Sequence, residues 1–597
     1  MVWENESDLI SEQFSNRLKY FTIFVIVCFI ILILNLVYIQ VIKGNYYYRI
    51  SELNTTKFYI EQSPRGIIYD CNKIILAKNR PVASVFLYPF RTPTDPKLSR
   101  KQIEKIEHLI PDIKKIPFWY NSKNIICLSE NIKLNDMFKL LEQRDSLPGI
   151  YVTMEYRRYY PYKELASHVL GYIGEIDKNE LSLIAENGYK QGDIIGKMGI
   201  EKQYDLYLRG KEGGILVESD ATGNELDNVK RIEPVAGNNI YLTIDIRLQK
   251  IAEDELKKTK CAGAVVGIDP TNGAIRILAS NPGFDPNIFI KSPETDIEID
   301  YRRKYLCDKD LPLYNRAIQG TYPPGSVFKI ITALAALDGK KIDYKKEYYC
   351  PGYFQLGKKI FKCWEEKGHG SVSFITGIKK SCDVYFYNIG LETGIELISK
   401  YAKKFYLGSL TNIDLPSENK GFIPTSEWRK KRGIWYEGDT VNLSIGQGYI
   451  VLTPIQIARL ISIVANKGTV WQPYLVSKIV NSKTGETIYE MKPKKIDEVD
   501  IPDEIWTLLE EGLFEVVNSG TGYAANIEGL KIAGKTGSAQ NPLGEDHALF
   551  AAYAPMDNPQ LALAIVVEHG GKGGAVAAPI AKSIFTEAFI HKLSENK

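Results

Sequence analysis

The 597-residue sequence lacks the features of a nucleic-acid-binding, disulfide-stabilised or polytopic membrane protein. Its 75 Lys and Arg residues nearly balance its 72 Asp and Glu residues, so the net charge of +3 excludes a general polycation for nucleic acid. Eight cysteines in this length exclude a disulfide miniprotein. Repeats and low-complexity tracts are absent, and 44% hydrophobic residues exclude a wholly disordered chain. A single apolar run excludes a polytopic transporter.

That run, residues 21–42, predicts a transmembrane anchor. Only Thr22, Asn35 and Gln40 interrupt it, and as a helix it would be about 33 Å long, enough to cross the hydrocarbon core. A cleaved signal peptide has a shorter apolar region followed by small residues, which are missing here. A buried core helix is the alternative, but soluble helices of this length rarely lack a polar face. Basic residues flank both ends and do not decide the orientation.

The rest of the chain divides into two regions. Residues 43–235 contain short β-rich runs, and charged helical stretches near 90–150 predict an inserted subdomain. A turn-rich segment ends this region. Beyond it, the patterns over 264–278 and 549–567 predict two antiparallel hairpins, with helical patterns between them. Residues 236–597 are therefore predicted to form an α+β domain with one antiparallel sheet.

Three Ser-x-x-Lys patterns occur, beginning at Ser326, Ser417 and Ser594. Only Ser326 opens a strongly apolar helical pattern, because Ser417 lies in a polar loop and Ser594 in the tail. Helix positions i and i+3 share a face, so the amine of Lys329 is predicted to reach the Ser326 hydroxyl. A neutral lysine can accept the hydroxyl proton where burial or nearby cations lower its pKa. Taken alone, the pattern would more often be a capping serine and a surface lysine.

Two further motifs follow. Ser381-Cys382-Asp383 places a hydroxyl and a polar side chain at a loop or helix start. Lys535-Thr536-Gly537-Ser538 follows apolar residues and is typical of the end of an edge strand, where a cation and hydroxyls suit a substrate carboxylate. The glycine would let the substrate backbone approach closely. A second Lys-Thr-Gly, at residues 483–485, lies in a polar turn and is interpreted as a chance match.

The ordered set Ser-x-x-Lys, Ser-x-Asp/Asn and Lys-Thr-Gly is that of penicillin-recognising enzymes. With it, the chain resembles the class B penicillin-binding proteins, most closely the penicillin-binding protein 2 group. Further similar motifs lie at residues 65–66, 196–201, 281–286, 443–448 and 453–454. The resemblance implies an α+β fold with a single transmembrane helix, an elongated β-rich pedestal with an inserted head, and a C-terminal transpeptidase domain like the serine β-lactamases.

The resemblance also implies a domain order and a topology. The expected parts are a cytoplasmic tail over 1–20, the anchor over 21–42, a pedestal or dimerisation-type domain over 43–235 with its head near 90–150, and the transpeptidase domain over 236–597. The substrate of such enzymes lies outside the cytoplasmic (inner) membrane. The N-terminus is therefore expected in the cytoplasm and the catalytic domain in the periplasm or its extracytoplasmic equivalent.

Residue roles follow from the same resemblance. Ser326 would attack the D-Ala-D-Ala carbonyl of a stem peptide with Lys329 as base, and Asp383, which replaces a more general Asn, would orient the donor peptide. Backbone N–H groups of Ser326 and Ser538 would form the oxyanion hole. The implied catalytic residues are Ser326, Lys329, Ser381, Asp383 and Lys535, with Ser381 and Lys535 as proton relays. The implied substrate-binding residues are Thr536, Gly537 and Ser538.

The implied partners are peptidoglycan stem peptides on lipid II-derived glycan, a SEDS-type (RodA-like) glycosyltransferase, the cytoplasmic membrane, and β-lactams as inhibitors; no nucleic acid is expected. The implied role is crosslinking during cell-wall elongation and shape maintenance. Two alternatives stay open: a β-lactam hydrolase or sensor of the same fold, and a non-catalytic scaffold that activates a glycosyltransferase. No motif for a residue that activates the deacylating water is evident.

Cys350, Cys363, His369 and Cys382, separated by 12, 5 and 12 residues, would complete a tetrahedral structural zinc site. Buried free cysteines or a disulfide compete with this reading, because the gaps exceed the usual short ones. Some members of the penicillin-binding protein 2 group carry zinc at comparable positions, so the resemblance implies structural Zn²⁺ and no organic cofactor. His547 and His569 are assigned structural roles, since a Ser–Lys mechanism needs no histidine.

Overall fold

A computed structural model describes residues 2–47, 56–87, 104–109, 126–219, 225–290, 302–303, 305–431, 433–541 and 544–591. Part of the expected head near 90–150 lies outside these residues, and Ser594 also lies outside them. The chain forms two compact units. The first comprises Met1–Ser63, Val82–Glu155 and Lys211–Val235, and the second comprises Pro64–Pro81, Tyr156–Gly210 and Ala236–Lys597.

The first unit begins with an apolar helix. An α-helix over Val2–Val37 continues as a π-helical turn over Tyr38–Ile42. Within the described residues, Arg17–Ile42 is the one segment long and apolar enough to cross a membrane, with a mean hydropathy of 3.0 and none of it buried in the protein. Full exposure of so apolar a surface to water would be unfavourable, which supports a membrane-embedded helix.

The remainder of the first unit is largely β-structure. Thr56–Glu61, Gly213–Ser219 and Glu225–Ile232 form a three-stranded antiparallel sheet. Ile126–Ile132 pairs with the later part of strand Ile75–Leu87, and helix Leu134–Glu142 follows it. A small core forms among these elements, with members Val85, Leu87, Ile106, Leu128, Leu140, Leu147 and Ile150.

In the second unit, short strands surround a buried ionic cluster. Ile68–Tyr69 pairs with the start of Ile75–Leu87 and with Asn239–Leu242. Glu201, whose side chain is fully buried, accepts hydrogen bonds from Arg65 Nη2 at 2.7 Å and from Arg158 Nε at 2.6 Å. The two guanidinium groups satisfy a carboxylate that would be costly to bury alone.

The central feature of the second unit is a five-stranded antiparallel sheet. Its spatial order is Ile275–Asn281, Gly263–Ile268, Leu561–Val567, His547–Ala554 and Ala533–Ala539. The two predicted hairpins are confirmed as its antiparallel neighbours. Along His547–Ala554, alternate side chains enter two different hydrophobic cores, so helices cover both faces of the sheet. This confirms the α+β class.

The rest of the second unit consists of helices and of short strands outside the central sheet. The helices are Ser167–Leu170, Lys178–Ile184, Gly199–Gln203, Asp205–Leu208, Ile246–Lys258, Lys329–Asp338, Phe374–Lys379, Asp383–Thr393, Ile395–Lys404, Ser426–Lys430, Glu437–Ser444, Pro454–Ala465, Asp503–Ser519 and Gly573–Thr586. Further strands are Ile150–Tyr159, which begins in the first unit, Ile173–Glu175, Ile194–Gly196, Tyr348–Cys350, Tyr353–Leu356, Lys359–Lys362, Gly370–Val372, Thr469–Trp471, Val476–Val480, Thr487–Glu490 and Lys495–Glu498.

Candidate active site

Ser326 lies in a tight turn that is pressed against the edge of the central sheet. The turn is a 3-10 segment, Gly325–Phe328, and the α-helix starts at Lys329 rather than at Ser326, which opens the predicted helical pattern. Gly325 has φ +51°, and a Cβ atom there would lie 2.7 Å from the carbonyl oxygen of Ser538. Only glycine allows this approach. The sequence thus places a partly exposed serine beside the edge strand Ala533–Ala539.

The amine of Lys329 connects the first motif to the second. The side chain is only 1% exposed. Its Nζ donates to the backbone oxygen of Ser381 at 2.9 Å, to Ser381 Oγ at 3.2 Å and to Asp383 Oδ1 at 2.7 Å. The sequence predicted that this amine reaches Ser326, and the structure shows a buried amine held by Ser381 and Asp383.

Asp383 begins the helix Asp383–Thr393, and its carboxylate serves two donors. Oδ1 accepts from Lys329, and Oδ2 accepts from the backbone N–H of Trp364 at 3.0 Å. The indole N–H of Trp364 in turn donates to the Lys380 carbonyl at 3.0 Å. Sequence reasoning missed Trp364, although its position directly after Cys363 was an available signal. The expected role of Asp383 toward the donor peptide stays a prediction.

Lys535 lies on the edge strand with its side chain fully buried. Its Nζ donates to the Thr536 carbonyl at 3.2 Å. Burial holds the pKa of Lys535 well below the ordinary lysine value, the charge of Lys329 lowers it further, and the Asp383 carboxylate opposes both. A lysine with a lowered pKa gives up its proton more readily, which favours the relay role that the sequence predicts.

The outer edge of this strand presents the groups expected to bind substrate. The Ser538 carbonyl accepts from the Gln447 side chain at 3.3 Å, so it faces away from the neighbouring strand. Thr536 Oγ1 lies 2.7 Å from Thr521 Oγ1, and Ser538 Oγ accepts from the Gly573 N–H at 3.3 Å. These three neighbours come from distant parts of the sequence and were not predicted.

Two other matches to the motifs lie elsewhere. The second Lys-Thr-Gly, at residues 483–485, is exposed in the turn between strands Val476–Val480 and Thr487–Glu490, as predicted. Ser417 lies in a loop with φ +67°. Neither takes part in the arrangement around Ser326.

The structure brings together the four residues of the predicted metal site. The ligand atoms of Cys350, Cys363, His369 and Cys382 all lie within 4.8 Å of one another. His369 Nδ1 is 3.7 Å from Cys350 Sγ and 3.6 Å from Cys363 Sγ. Tetrahedral zinc with Zn–S bonds of about 2.3 Å sets its ligands about 3.5–4 Å apart, so these residues fit the ion.

The three cysteines of this cluster are not disulfide-bonded, and a contact between two of them lowers a pKa. All three cysteines are free thiols, not disulfides. A hydrogen bond with the Cys382 thiol lowers the pKa of Cys363 to about 5. Cys382 also caps the helix that starts at Asp383, accepting from the Tyr385 N–H at 3.5 Å. The cluster is therefore built directly into the loop of the second motif.

Comparison with known proteins shows which families the chain matches. The chain matches the penicillin binding protein transpeptidase domain over residues 263–586 and the penicillin-binding protein dimerisation domain over residues 60–242. It is 33% identical to peptidoglycan D,D-transpeptidase MrdA of Acinetobacter baumannii over 596 residues, covering 94% of this chain and 85% of the relative.

Two solved structures are similar over most of the chain. One is penicillin-binding protein PBP2 of Helicobacter pylori in complex with MreC, with a TM-score of 0.76, 31% identity, and coverage of 90% of this chain and 99% of the other. The second comes from a study of the structural coordination of polymerization and crosslinking by a peptidoglycan synthase complex. Its TM-score is 0.71 at 28% identity, with coverage of 96% and 98%.

Proposed function

The chain belongs to the penicillin-binding protein transpeptidases, in the class B penicillin-binding protein 2 group, and we propose that it crosslinks peptidoglycan stem peptides through an acyl-enzyme on Ser326. One observation carries the proposal. The three motifs meet in one site. The Lys329 amine donates hydrogen bonds to Ser381 and Asp383, and the turn that carries Ser326 lies against the strand that carries Lys535.

The geometry supports the following sequence of steps. The Ser326 oxygen attacks the carbonyl between the two D-Ala residues, and its proton passes to Lys329 in its neutral form, whose partner Ser381 offers a relay. The N–H groups of Ser326 and Ser538 stabilise the oxyanion, a contribution typically of about 3–4 kcal/mol per donor. The terminal D-Ala leaves with a proton. The amine of a neighbouring stem peptide then attacks the ester, releases Ser326 and forms the crosslink.

The substrate carboxylate binds on the edge strand. The hydroxyls of Thr536 and Ser538 lie on the same face of this strand, because side chains two residues apart do so. The buried amine of Lys535 adds positive charge beneath them when protonated. A Cβ atom at Gly537 would lie 3.1 Å from the carbonyl oxygen of Pro324 and 3.2 Å from Val327 Cγ2, so glycine lets the Ser326 turn pack against the strand. β-Lactams carry the same carboxylate and acylate the same serine, which makes them inhibitors.

Transfer to an amine, rather than to water, is the part of this proposal that needs a separate test. Hydrolysis of the same acyl-enzyme would make the protein a serine D-Ala-D-Ala carboxypeptidase or a β-lactam hydrolase. We expect the full-length protein to form crosslinked muropeptide dimers from nascent glycan strands with pentapeptide stems, as read by mass spectrometry. Uncrosslinked tetrapeptides alone would favour the carboxypeptidase, and no product from folded protein would favour a scaffold.

A structural Zn²⁺ on Cys350, Cys363, His369 and Cys382 is also proposed, supported by the mutual approach of the four ligand atoms. The ion would brace the loop that carries Ser381 and Asp383. Metal analysis of purified protein should find about one zinc per chain, and Cys363→Ser should lower it. Cys261→Ser is the matched control, since that cysteine is outside the cluster. Equal zinc content in all three proteins would refute the assignment.

The membrane arrangement and the polymerase partner complete the proposal. The apolar helix anchors the chain with its N-terminus in the cytoplasm and the active site outside, where peptidoglycan is assembled. The partner is a SEDS-type glycosyltransferase acting in cell-wall elongation. The chain contacts it through the dimerisation domain and through the anchor, in which Asn35 and Gln40 are exposed. Full binding and activation of that enzyme by a protein lacking residues 1–60 would contradict this.

A further inference from the structure

A short hairpin beside the second motif carries an exposed apolar surface that the Ser–Lys chemistry does not use. Its strands, Tyr353–Leu356 and Lys359–Lys362, pair antiparallel as a two-stranded sheet. Tyr353 is 48% exposed and Ile360 is 59% exposed. Large apolar side chains that are grouped at a surface in this way mark places where a protein binds another molecule.

The two faces of the hairpin have different surroundings. Residues opposite each other in antiparallel strands share a face, so Phe354 and Phe361 lie on the same side. Their rings lie 5.9 Å and 5.8 Å from the ring of Tyr387, which attaches this side to the helix Asp383–Thr393. The opposite side, called the outer face below, consists of four exposed residues, Tyr353, Gln355, Ile360 and Lys362.

The outer face continues along the second strand toward the catalytic residues. The Cys363 N–H donates to the Gly352 carbonyl at 2.8 Å, which extends the strand pairing by one residue. Cys363 is buried, whereas Lys362 and Trp364 on either side of it are exposed, so Trp364 follows on the outer face. The backbone N–H of Trp364 donates to Asp383. The surface therefore ends at the second motif.

The indole of Trp364 is fixed at this end of the surface. Its Nε1–H donates to the carbonyl of Lys380 at 3.0 Å, and its ring packs edge-on against His369 with centroids 5.3 Å apart. The residue is nevertheless 51% exposed. A half-exposed aromatic ring that is held by its neighbours offers a flat apolar face to a ligand.

The hairpin is also positively charged. Residues 353–362 include three lysines, Lys358, Lys359 and Lys362, and no acidic residue. The nearest acidic residues in the sequence, Glu365 and Glu366, come after Trp364. The outer face and its surroundings therefore suit an anionic ligand that also has apolar surfaces.

An acidic glycopeptide has this combination of groups. The C–H groups on the face of a sugar ring pack against aromatic rings, whose faces carry partial negative charge. The amide of Gln355 and the ammonium group of Lys362 suit acetamido and carboxylate groups. A peptidoglycan strand presents all of these, because its sugars are N-acetylated and its stem peptides carry free carboxylates. Each four-residue strand of the hairpin spans about 10 Å, enough for two linked sugar rings.

The position of the outer face fits the acceptor substrate rather than the donor. The donor stem peptide is placed on the edge strand Ala533–Ala539, whereas the hairpin is attached to the helix of the second motif. After D-Ala leaves, a second stem peptide must bring its amine to the ester on Ser326. A strand on the outer face would lead that peptide to Asp383 and its partner Lys329, beside this ester.

We propose that the outer face of the hairpin, together with Trp364, binds the glycan strand that carries the acceptor stem peptide. The inference rests on the proposed transpeptidase function and names the second substrate of that site. Tyr353 and Trp364 pack against sugar rings, and Lys362 binds a carboxylate of the stem peptide. The surface holds the acceptor strand and takes no part in bond formation.

The test measures binding of fluorescently labelled, uncrosslinked glycan strands with tetrapeptide stems to the full-length protein in detergent. Tetrapeptide stems lack the terminal D-Ala and cannot acylate the enzyme. Ser326 is first acylated with penicillin, which fills the donor site, so the remaining binding reports the acceptor surface. We expect saturable binding that weakens as the salt concentration rises. The same tetrapeptide without glycan should bind about fivefold more weakly or worse, because it lacks the sugar rings.

Variants of the outer face assign this binding to the hairpin. Tyr353→Ala and Ile360→Ser remove apolar side chains that point away from the protein, and Lys362→Glu reverses one charge. We expect each to raise the Kd for glycan strands about fivefold or more, as is usual for residues at the centre of a binding surface. Lys362→Glu should also reduce the dependence of Kd on salt.

The chain offers matched controls on a second exposed hairpin. Tyr489→Ala and Lys483→Glu change the same residue types, and they lie on the hairpin of Val476–Val480 and Thr487–Glu490, which belongs to a different sheet. Both should keep the wild-type Kd. The rate constant for acylation by penicillin is measured for every variant, because a folding defect would lower it together with glycan binding.

Several outcomes would overturn the inference. Wild-type affinity in both Tyr353→Ala and Lys362→Glu would do so, as would equal affinity for the free tetrapeptide. Absence of glycan binding by the acylated wild type would overturn it in favour of a protein partner for this face, and binding that acylation abolishes would place the strand in the donor site. Absence of any penicillin adduct on Ser326 in folded wild-type protein is a separate result, because it would overturn the proposed function and this inference with it.

Discussion

Replacing Asp383 with Asn removes one acceptor from a carboxylate that serves two donors. Oδ1 accepts from Lys329 Nζ at 2.7 Å, and Oδ2 accepts from the Trp364 N–H at 3.0 Å. Asn offers one oxygen, so one of these donors would face an amide NH₂ group, which is itself a donor. Lys329 is only 1% exposed and cannot replace the lost partner with bulk water. A buried donor left unpaired costs about 1–3 kcal/mol.

We expect the loss to appear in the acylation rate, because the same carboxylate fixes the lysine that serves as base. A cost of about 1–3 kcal/mol corresponds to a slowing of about 5-fold to 150-fold. The assay is the second-order rate constant for labelling by a fluorescent penicillin, with thermal unfolding measured in parallel. Asp557→Asn is the control, since that carboxylate is 70% exposed and pairs with Lys531 at the surface. A wild-type rate in Asp383→Asn would refute the reasoning.

Three further changes probe the same site and its support. The pKa of Lys535 is lower in the folded protein than the ordinary value of 10.5. Between these two pKa values the unfolded chain binds more protons than the folded one, so wild-type stability increases as pH rises toward 10.5. Lys535→Met should therefore raise Tm more at pH 7 than at pH 9.5 while abolishing stem-peptide turnover, and a lower Tm at pH 7 would contradict this. Gly446→Ala should slow penicillin acylation at least tenfold, because the added Cβ would lie 2.2 Å from the carbonyl oxygen of the residue before Ser326. Gly485→Ala is the control and should not slow it, because Gly485 also has a positive φ but open space around it. Glu201→Gln should lower the free energy of unfolding by about 3–5 kcal/mol in urea titrations, because the buried Arg158 loses its counter-charge and Arg65 keeps only Asp205. An unchanged midpoint would contradict that.

The sequence allowed the fold class and the motif residues to be predicted because those signals are local. Each hairpin of the central sheet is formed by neighbouring strands with a turn between them. Ser326 and Lys329 are three residues apart, at the junction of a 3-10 turn with a helix, and Lys535 through Ser538 lie in one strand. Cys350 and His369 are 19 residues apart, but antiparallel pairing of Tyr348–Cys350 with Gly370–Val372 brings them together.

The contacts that complete the site could not be predicted in this way. The position of the Lys329 amine is set by Ser381 and Asp383, more than 50 residues away, rather than by helical spacing. Gln447 and Thr521 reach the edge strand only because distant loops pack there. Such contacts depend on tertiary packing, to which the hydrophobic pattern and short motifs are insensitive.

The central claim is that Ser326 forms an acyl-enzyme, and labelling with a fluorescent penicillin followed by intact-mass measurement tests it most directly. The full-length wild type should gain the mass of one penicillin and keep it for many minutes, and Ser326→Ala should gain none. Rapid loss of the adduct with turnover of the drug would indicate a β-lactam hydrolase. An adduct that persists in Ser326→Ala, or none in folded wild-type protein, would contradict the account.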